Sequence, residues 1–233
     1  MTEAYTALDL ETTGLNPKRD KIIEIGAVKI RKGNVADRFQ SFVNPWRKLG
    51  EEVRLLTGID DGMLLDAPGI EEVLEPLIDF IGDDVLVGHR ILFDYSFVKK
   101  AAVNHSIVFE KEGIDTLKLA RKLLPDLESR NLGFLCSYYG IEHRAHRAMG
   151  DAEASAKLYQ KLAELFYEGN EEDFMPKRLL FAAKKETPAT KHQKERLYKL
   201  LDRHKIVIEY QVDKLTKSEA DRIMDQILAK YGR

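Results

Sequence analysis

The stretch ALDLETTGL, residues 7–15, ends an apolar run on two acids one residue apart and then breaks into Thr12-Thr13-Gly14. In a strand, side chains alternate between faces, so Asp9 and Glu11 project together while Leu8 and Leu10 point the other way. Two carboxylates side by side repel each other, and burying them unpaired is costly. Two readings follow. The strand frays into a polar turn at this point, or the pair holds a divalent cation, since hard cations take carboxylate oxygens.

Working outward, residues 4–10 read as a buried strand, KIIEIGAVKI (21–30) as a second and VADRFQSFVNP (35–45) as a third, turned by Lys32-Gly33-Asn34. Together they predict an antiparallel meander. EEVRLLTGI reads as a helix, and so does GIEEVLEPLIDFIG, with Ile70, Val73, Leu74, Leu77, Ile78 and Ile81 on one face. DDVLVGH (83–89) is a short apolar run bounded by a turn, hence a fourth strand, and ILFDYSFVKKAA follows as a helix carrying Asp94. IDTLKLARKLLP (114–125) is a helix stopped by Pro125, NLGFLCSYYGI a short helix ending at Gly140, and residues 151–167 a long amphipathic one. Strands first, then helical crossovers, predict an α/β layer fold. Beyond it, residues 171–187 read as a charged linker. Residues 188–233 then form a small module with two capping boxes, Thr190/Gln193 and Thr216/Glu219, joined by a strand-like IVIEYQV (206–212).

Composition narrows the class without naming a function. With 233 residues, 44% of them hydrophobic and 33% charged, the chain suits one ordinary domain plus an appendage. Its start lacks the basic and apolar segments of a signal peptide, and no apolar run is long enough to span a bilayer. The single cysteine, Cys136, sits at helical spacing with Leu132 and Tyr139 and reads as a small core residue; the expected location is the cytoplasm. The net charge of −2 hides an asymmetry. Residues 175–233 carry 15 Lys/Arg against 8 Asp/Glu, whereas residues 1–174 carry 22 against 31. Such segregation suits a tail that binds nucleic acid or a partner, and suits equally a solvated lysine-rich helical surface.

Two further places set an acid beside a turn or helix start. GHRILFD puts Asp94 in the first turns of a helix, and HRAMGDAEAS puts His146 five residues before Asp151, which opens the long helix. Taken singly, Asp151 reads as a helix cap, His146 as a loop residue and Asp94 as an exposed helix residue. Taken together, four carboxylates from three segments bring enough negative charge for two divalent ions, the recurrent device for attacking a phosphodiester. A neutral histidine is a suitable proton acceptor near neutral pH.

The motifs LDLETTGL, GHRILFD and HRAMGDAEAS, in that order, resemble those of the DEDDh family of 3′–5′ exonucleases, which includes the proofreading subunit of bacterial replicative polymerase and ribonuclease T. The likeness covers roughly residues 4–167 and extends to LLTGI, DTLKLARKLLP and LGFLCSYYGI. It implies a ribonuclease-H-like fold with a mixed central sheet over residues 1–170, followed by the linker and the C-terminal module. Residue by residue, it implies that Asp9 bridges two magnesium ions, with manganese as a substitute. Glu11 and Asp151 would hold the first ion, Asp94 would serve the second, and His146 would take the proton from the attacking water. Thr12, Thr13, Gly14, Leu15 and Phe93 would meet the terminal nucleotide, although Leu15 and Phe93 also suit plain core packing. One departure stands out: relatives usually carry Asn after the histidine of the second motif, where this chain has Arg90. Trp46, the only tryptophan, follows Pro45 at a strand end and suits packing better than base stacking.

The expected activity is metal-dependent removal of nucleoside 5′-monophosphates from a 3′ end, most of all single-stranded DNA, in proofreading, repair or trimming of CRISPR spacer precursors. RNA 3′-end trimming is the alternative within the class, and a non-catalytic scaffold that binds a polymerase or integrase is the alternative outside it. Intact Asp9, Glu11, Asp94, His146 and Asp151 weigh against the scaffold. Residues 188–233 are the expected docking unit for a polymerase or CRISPR integrase.

Overall fold

The computed structural model describes residues 2–143 and 145–232. The predicted meander is present. Strand β1 (Ala4–Thr12) pairs antiparallel with β2 (Ile22–Arg31), which pairs antiparallel with β3 (Asn34–Phe42). On its other side β1 runs parallel to β4 (Val85–Gly88), and β4 runs parallel to β5 (Glu112–Asp115). A two-residue strand, β6 (Lys177–Arg178), closes the edge antiparallel to β5, so the sheet is mixed and ordered β3-β2-β1-β4-β5-β6. The sequence reading has no counterpart of β5 or β6. Four residues running straight into a helix, and two residues alone, carry no periodicity to detect.

Helices cover both faces. Between β3 and β4 lie α1 (Glu51–Thr57), α2 (Asp61–Leu64) and α3 (Ile70–Ile81). Helix α4 (Leu92–Asn104) links β4 to β5; α5 (Thr116–Leu123), α6 (Leu132–Tyr139) and α7 (Ala148–Phe166) follow. The alternation along β1 sorts its side chains as read from sequence. Leu8 and Leu10 pack with α3 and α4, while Tyr5 and Ala7 pack with α7, α5 and α6. Asp9 and Glu11 continue the α7 face. Cys136 is buried on that side, and burial pushes its thiol up to about 11.

The close approach of helix α7 to the sheet requires a glycine on β2. Gly26 is the register partner of Asp9, and a Cβ built on it would stand 2.2 Å from the carbonyl carbon of Ala148 and 2.3 Å from the nitrogen of Met149. The first turn of α7 therefore rests on bare backbone, one strand away from Asp9.

Residues 171–187 follow the edge of the sheet: Phe174 is buried with the α7 cluster, Leu179 packs with the α3/α4 cluster, and Glu186 pairs with Lys100 of α4 at 3.1 Å. Helices α8 (Lys191–His204) and α9 (Lys217–Tyr231) enclose their own apolar cluster around Leu197, Ile223 and Ile227, and both capping boxes form. IVIEYQV is not a strand. It makes one antiparallel bridge, Tyr210 to Arg47, in which Lys48 N–H donates to Glu209 O (2.9 Å) and Gln211 N–H to Trp46 O (3.0 Å). Lys21–Glu219 (3.0 Å) and Lys214–Glu71 (2.9 Å) add ion pairs across the same junction.

The Gly26 contact sets an expectation. Gly26→Ala forces α7 off β2 and should cost about 1–3 kcal/mol, the usual range for overpacking. Urea denaturation measures it; an unshifted midpoint would show that α7 does not depend on this approach.

Candidate active site

The three parallel strands β1, β4 and β5 end at the same edge of the sheet. In open α/β sheets that edge, at the strand where the chain order reverses, is where ligands sit. Here the reversal is at β1, which sends the chain to β2 on one side and has β4 on the other. Asp9 and Glu11 stand at that point, half-buried, and each has an oxygen within 4.8 Å of one from the other and from Asp151. Asp94 enters from the opposite face. The β4–α4 turn carries it to the end of β1, where its Oδ1 accepts the N–H of Leu10 at 3.0 Å, and it is buried.

The cluster is electrostatically unfavourable by itself. Burial, then the charges of Asp94, Asp151, Glu11 and Glu24, raise Asp9 well above the usual carboxylate range. Glu11 is pushed up to about 7, first by burial and then by Asp151 and Glu24, with Arg147 acting against them. Burial also raises Asp94, although the N–H of Leu10 and its own N–H favour its ionised form. Three convergent carboxylates, with Asp9 and Glu11 held at such cost, are a donor set for a hard divalent cation, which fits the oxygen-only chemistry.

Asp151 sits in the first turn of α7, with both oxygens in use. Oδ2 accepts the backbone N–H of Arg147 (3.2 Å), and Oδ1 lies 2.5 Å from Nε2 of His143. His146 is exposed in the turn before α7, in the left-handed region at φ 62°. The histidine against the acids in this structure is therefore His143, which the sequence reading does not single out. Only one signal was available: a second histidine three residues before His146.

Two more groups outside that reading shape the site. Glu24, the register partner of Glu11 on β2, is fully buried. Its carboxylate accepts from the Arg147 guanidinium (2.9 Å to Oε1), from Ala148 N–H (3.2 Å) and from the side chain of Gln40 (3.0 Å). It thus satisfies an orphan N–H at the start of α7 and pairs the cation beside it. A charged residue inside the apolar run KIIEIGAV is the signal that marks it. Arg47 is the second: its guanidinium bonds to Thr13 Oγ1 and Arg19 O (3.0 Å) and pairs with Asp20, holding the loop after β1.

Within that loop Thr12 Oγ1–H donates to Gly14 O (2.7 Å), and Thr13 N–H donates to Lys21 O (2.9 Å). Gly14 lies against the Asp20 carboxylate, which a Cβ there would push aside. Leu15 is 80% exposed, so it does not pack in the core. Phe93 is half-buried against the core and faces Phe97, ring centroids 5.0 Å apart. Trp46, at φ 58°, lies under Lys214, 4.4 Å from Nζ to ring centroid.

A mixed sheet with converging carboxylates at its parallel edge defines a nuclease of the ribonuclease-H-like class, and comparison with known proteins makes the assignment narrower. The RNase T family model, described as Exonuclease, matches residues 6–159. DNA polymerase III PolC-type of Caldanaerobacter subterraneus subsp. tengcongensis is 42% identical over 166 residues, covering 70% of this chain and 12% of the polymerase. The PolC-type enzyme of Bacillus subtilis is 42% identical over 164 residues, covering 69% and 11%. Among solved structures, Exonuclease X in complex with 5′ overhanging duplex DNA superposes with a TM-score of 0.58 at 25% identity, covering 70% of this chain and 92% of that one. The chain belongs to this exonuclease family, a class of 3′–5′ exonuclease enzymes. It spans about 12% of the length of the curated relatives it matches. Among the described residues no helix is long and apolar enough to cross a membrane.

The raised acids make a stability prediction. An acid whose folded pKa exceeds its unfolded value stabilises the fold below the unfolded pKa and loses that contribution as pH rises through the folded one. For Glu11 this window runs from 4.5 to about 7. In EDTA, Glu11→Gln should therefore melt higher than the parent above that window, by a few degrees, with the gap closing toward its lower end. Magnesium should raise the melting temperature of the parent more than that of the variant.

Proposed function

We propose that the chain removes nucleoside 5′-monophosphates from the 3′ end of single-stranded DNA, with magnesium held by Asp9, Glu11, Asp94 and Asp151. The observation that carries this reading is the convergence of Asp9, Glu11 and Asp151 at the carboxyl edge of the sheet, with Asp94 tied to β1 beside them. Asp9, Glu11, Asp94 and Asp151 would hold the divalent metal, which would supply an activated water and charge stabilisation for the leaving oxygen. The protein's own groups do the rest. Asp9 stands between the Glu11/Asp151 side and the Asp94 side, Leu10 N–H fixes the Asp94 carboxylate, and the Glu24–Arg147 pair holds the start of α7 so that Asp151 faces β1. Leu15, extended into solvent, and half-buried Phe93 are suited to lean on the terminal base. The preference for DNA is supported by the DNA-bound state of Exonuclease X and by the DNA polymerase relatives.

His146 is assigned the proton of the attacking water. Its exposed turn leaves the ring free to reach a substrate, and it has little packing to lose. The contact between His143 and Asp151 favours a second reading, in which His143 takes that proton. Digestion of 3′-labelled single-stranded and duplex DNA and RNA with magnesium or manganese tests both. Asp9→Ala, Glu11→Ala, Asp94→Ala or Asp151→Ala should abolish hydrolysis, and near-normal turnover by Asp9→Ala would remove the site. His146→Ala should lower the rate by roughly 10²–10⁴-fold and flatten its rise with pH, as loss of a general base does. If His143→Ala shows that signature instead, the second reading replaces the first.

Residues 188–233 are assigned to binding. Their surplus of basic residues supports nucleic acid or a protein as the partner, and the DNA polymerase III relatives support a polymerase ahead of a CRISPR integrase. A tethered second surface raises effective concentration without adding a catalytic group. A chain ending at residue 187 should keep its turnover on saturating short oligonucleotides. It should bind long strands more weakly, with a shallower salt dependence. An unchanged salt slope would assign the module to protein contacts, read by pull-down with a polymerase.

A further inference from the structure

A groove of about 520 Å³ opens beside the acids, between the β4–α4 turn, α5 and the segment that leads into α6. Arg90, Arg121 and Arg130 line it against a single acid, Glu128. This is unusual on a body whose first 174 residues carry 22 Lys/Arg against 31 Asp/Glu. The guanidinium of Arg130 is engaged, donating from Nε to Leu124 O (3.1 Å) and from its terminal nitrogen to Pro125 O. Arg90 and Arg121 have no carboxylate partner among the described residues. Two unpaired guanidiniums facing one groove repel each other, and a shared anion removes that cost.

The backbone at Arg90 points the same way. Its φ is 78°, a left-handed conformation that asparagine tolerates and arginine does not favour. The turn is held there by its surroundings: Arg90 N–H donates to Asp115 Oδ1 (3.0 Å), the same oxygen that caps α5. His89 braces the opposite wall, with Nδ1 2.9 Å from Thr116 Oγ1 and Nε2 2.9 Å from Arg130 O. Backbone preference does not account for an arginine at this position; the charge it delivers does.

Each wall of the groove adjoins a residue next to the acid cluster. On one side Arg90 Cζ stands 5.8 Å from the ring of Phe93, the residue before Asp94. On the other, Asn131 opens α6, and Gly133 of its first turn lies beside the ring of His143, which bonds Asp151. A strand whose 3′ end reached the acids would carry its next phosphodiesters along one of these walls.

We propose that Arg90 and Arg121 form a phosphodiester-binding subsite that grips the nucleic acid a short distance from the scissile bond. Planar guanidiniums suit this task, because each meets two phosphate oxygens at once. The subsite rests on the nuclease reading of the acid cluster, but its test does not need turnover.

The measurement is binding of 5′-labelled single-stranded DNA, and of a duplex with a 3′ overhang, to the full chain in calcium or EDTA, as a function of salt. Arg90→Ala/Arg121→Ala should raise Kd about tenfold or more. It should also make the slope of log K against log salt shallower by about 1.4, at roughly 0.7 for each phosphate contact on a single strand. Arg90→Lys/Arg121→Lys should keep most of the slope and lose part of the affinity, and Lys157→Ala, on the exposed side of α7, should change neither. A defect confined to the duplex places the gripped phosphates on the complementary strand; a defect in both places them on the strand being cut. A Kd within twofold of the parent and an unchanged slope on both substrates, with an unaltered melting temperature, would overturn the subsite. If the acid variants retain hydrolysis while the arginine variants lose binding, the acid cluster is not the catalytic site and the subsite stands.

Discussion

The arrangement of this protein depends on how the start of α7 is held against β2. Two residues of that strand, two positions apart on one face, do it: Gly26 removes its own side chain so that Ala148 can come down, and Glu24 receives the helix there. A fully buried carboxylate is tolerable only when its charge is paired and its oxygens are satisfied. Arg147, the Ala148 N–H and Gln40 together meet that requirement. Because the register of β1 and β2 sets Gly26 opposite Asp9 and Glu24 opposite Glu11, seating α7 on β2 delivers Asp151 to the two acids of β1. Packing and chemistry are here one constraint.

The acids so assembled oppose the fold. Asp9, Glu11 and Asp94 are all raised, each first by burial and then by its neighbours. Arg147, whose charge acts against the rise of Glu11, is committed to Glu24. A divalent cation among these carboxylates relieves the repulsion, so the same feature that strains the metal-free chain gives it affinity for metal. In this structure Oδ1 of Asp151 is engaged by His143.

Charge is distributed in keeping with this. On an otherwise acidic body, positive charge is gathered in two places: the arginine-lined groove by the second motif and the basic C-terminal helices. The two lie at different edges. The helices are tied to the nuclease by a backbone bridge at Arg47, whose side chain in turn holds Thr13 and Asp20 in the loop that follows the β1 acids. Lys21 makes a second link, pairing with Glu219 and accepting the Thr13 N–H at its carbonyl.

Much of this was legible in the sequence, for a local reason. Period-two alternation put Asp9 and Glu11 on one face, helical spacing marked α3 and α7, and two capping boxes marked α8 and α9. Each of these signals lies within a few residues of the feature it specifies. The order of three acid-bearing motifs was likewise enough to name the exonuclease class. Tertiary structure decided the rest. Glu24 and Arg147 are 123 residues apart, and nothing local to either predicts that they meet. The short strands β5 and β6 exist only because a sheet edge was there to pair with them. The choice between His143 and His146 beside Asp151 was also made in three dimensions, by which ring the turn before α7 leaves inside. Partners brought together by burial leave no spacing in the chain, so the residues that support the site stayed hidden while the acids that form it did not.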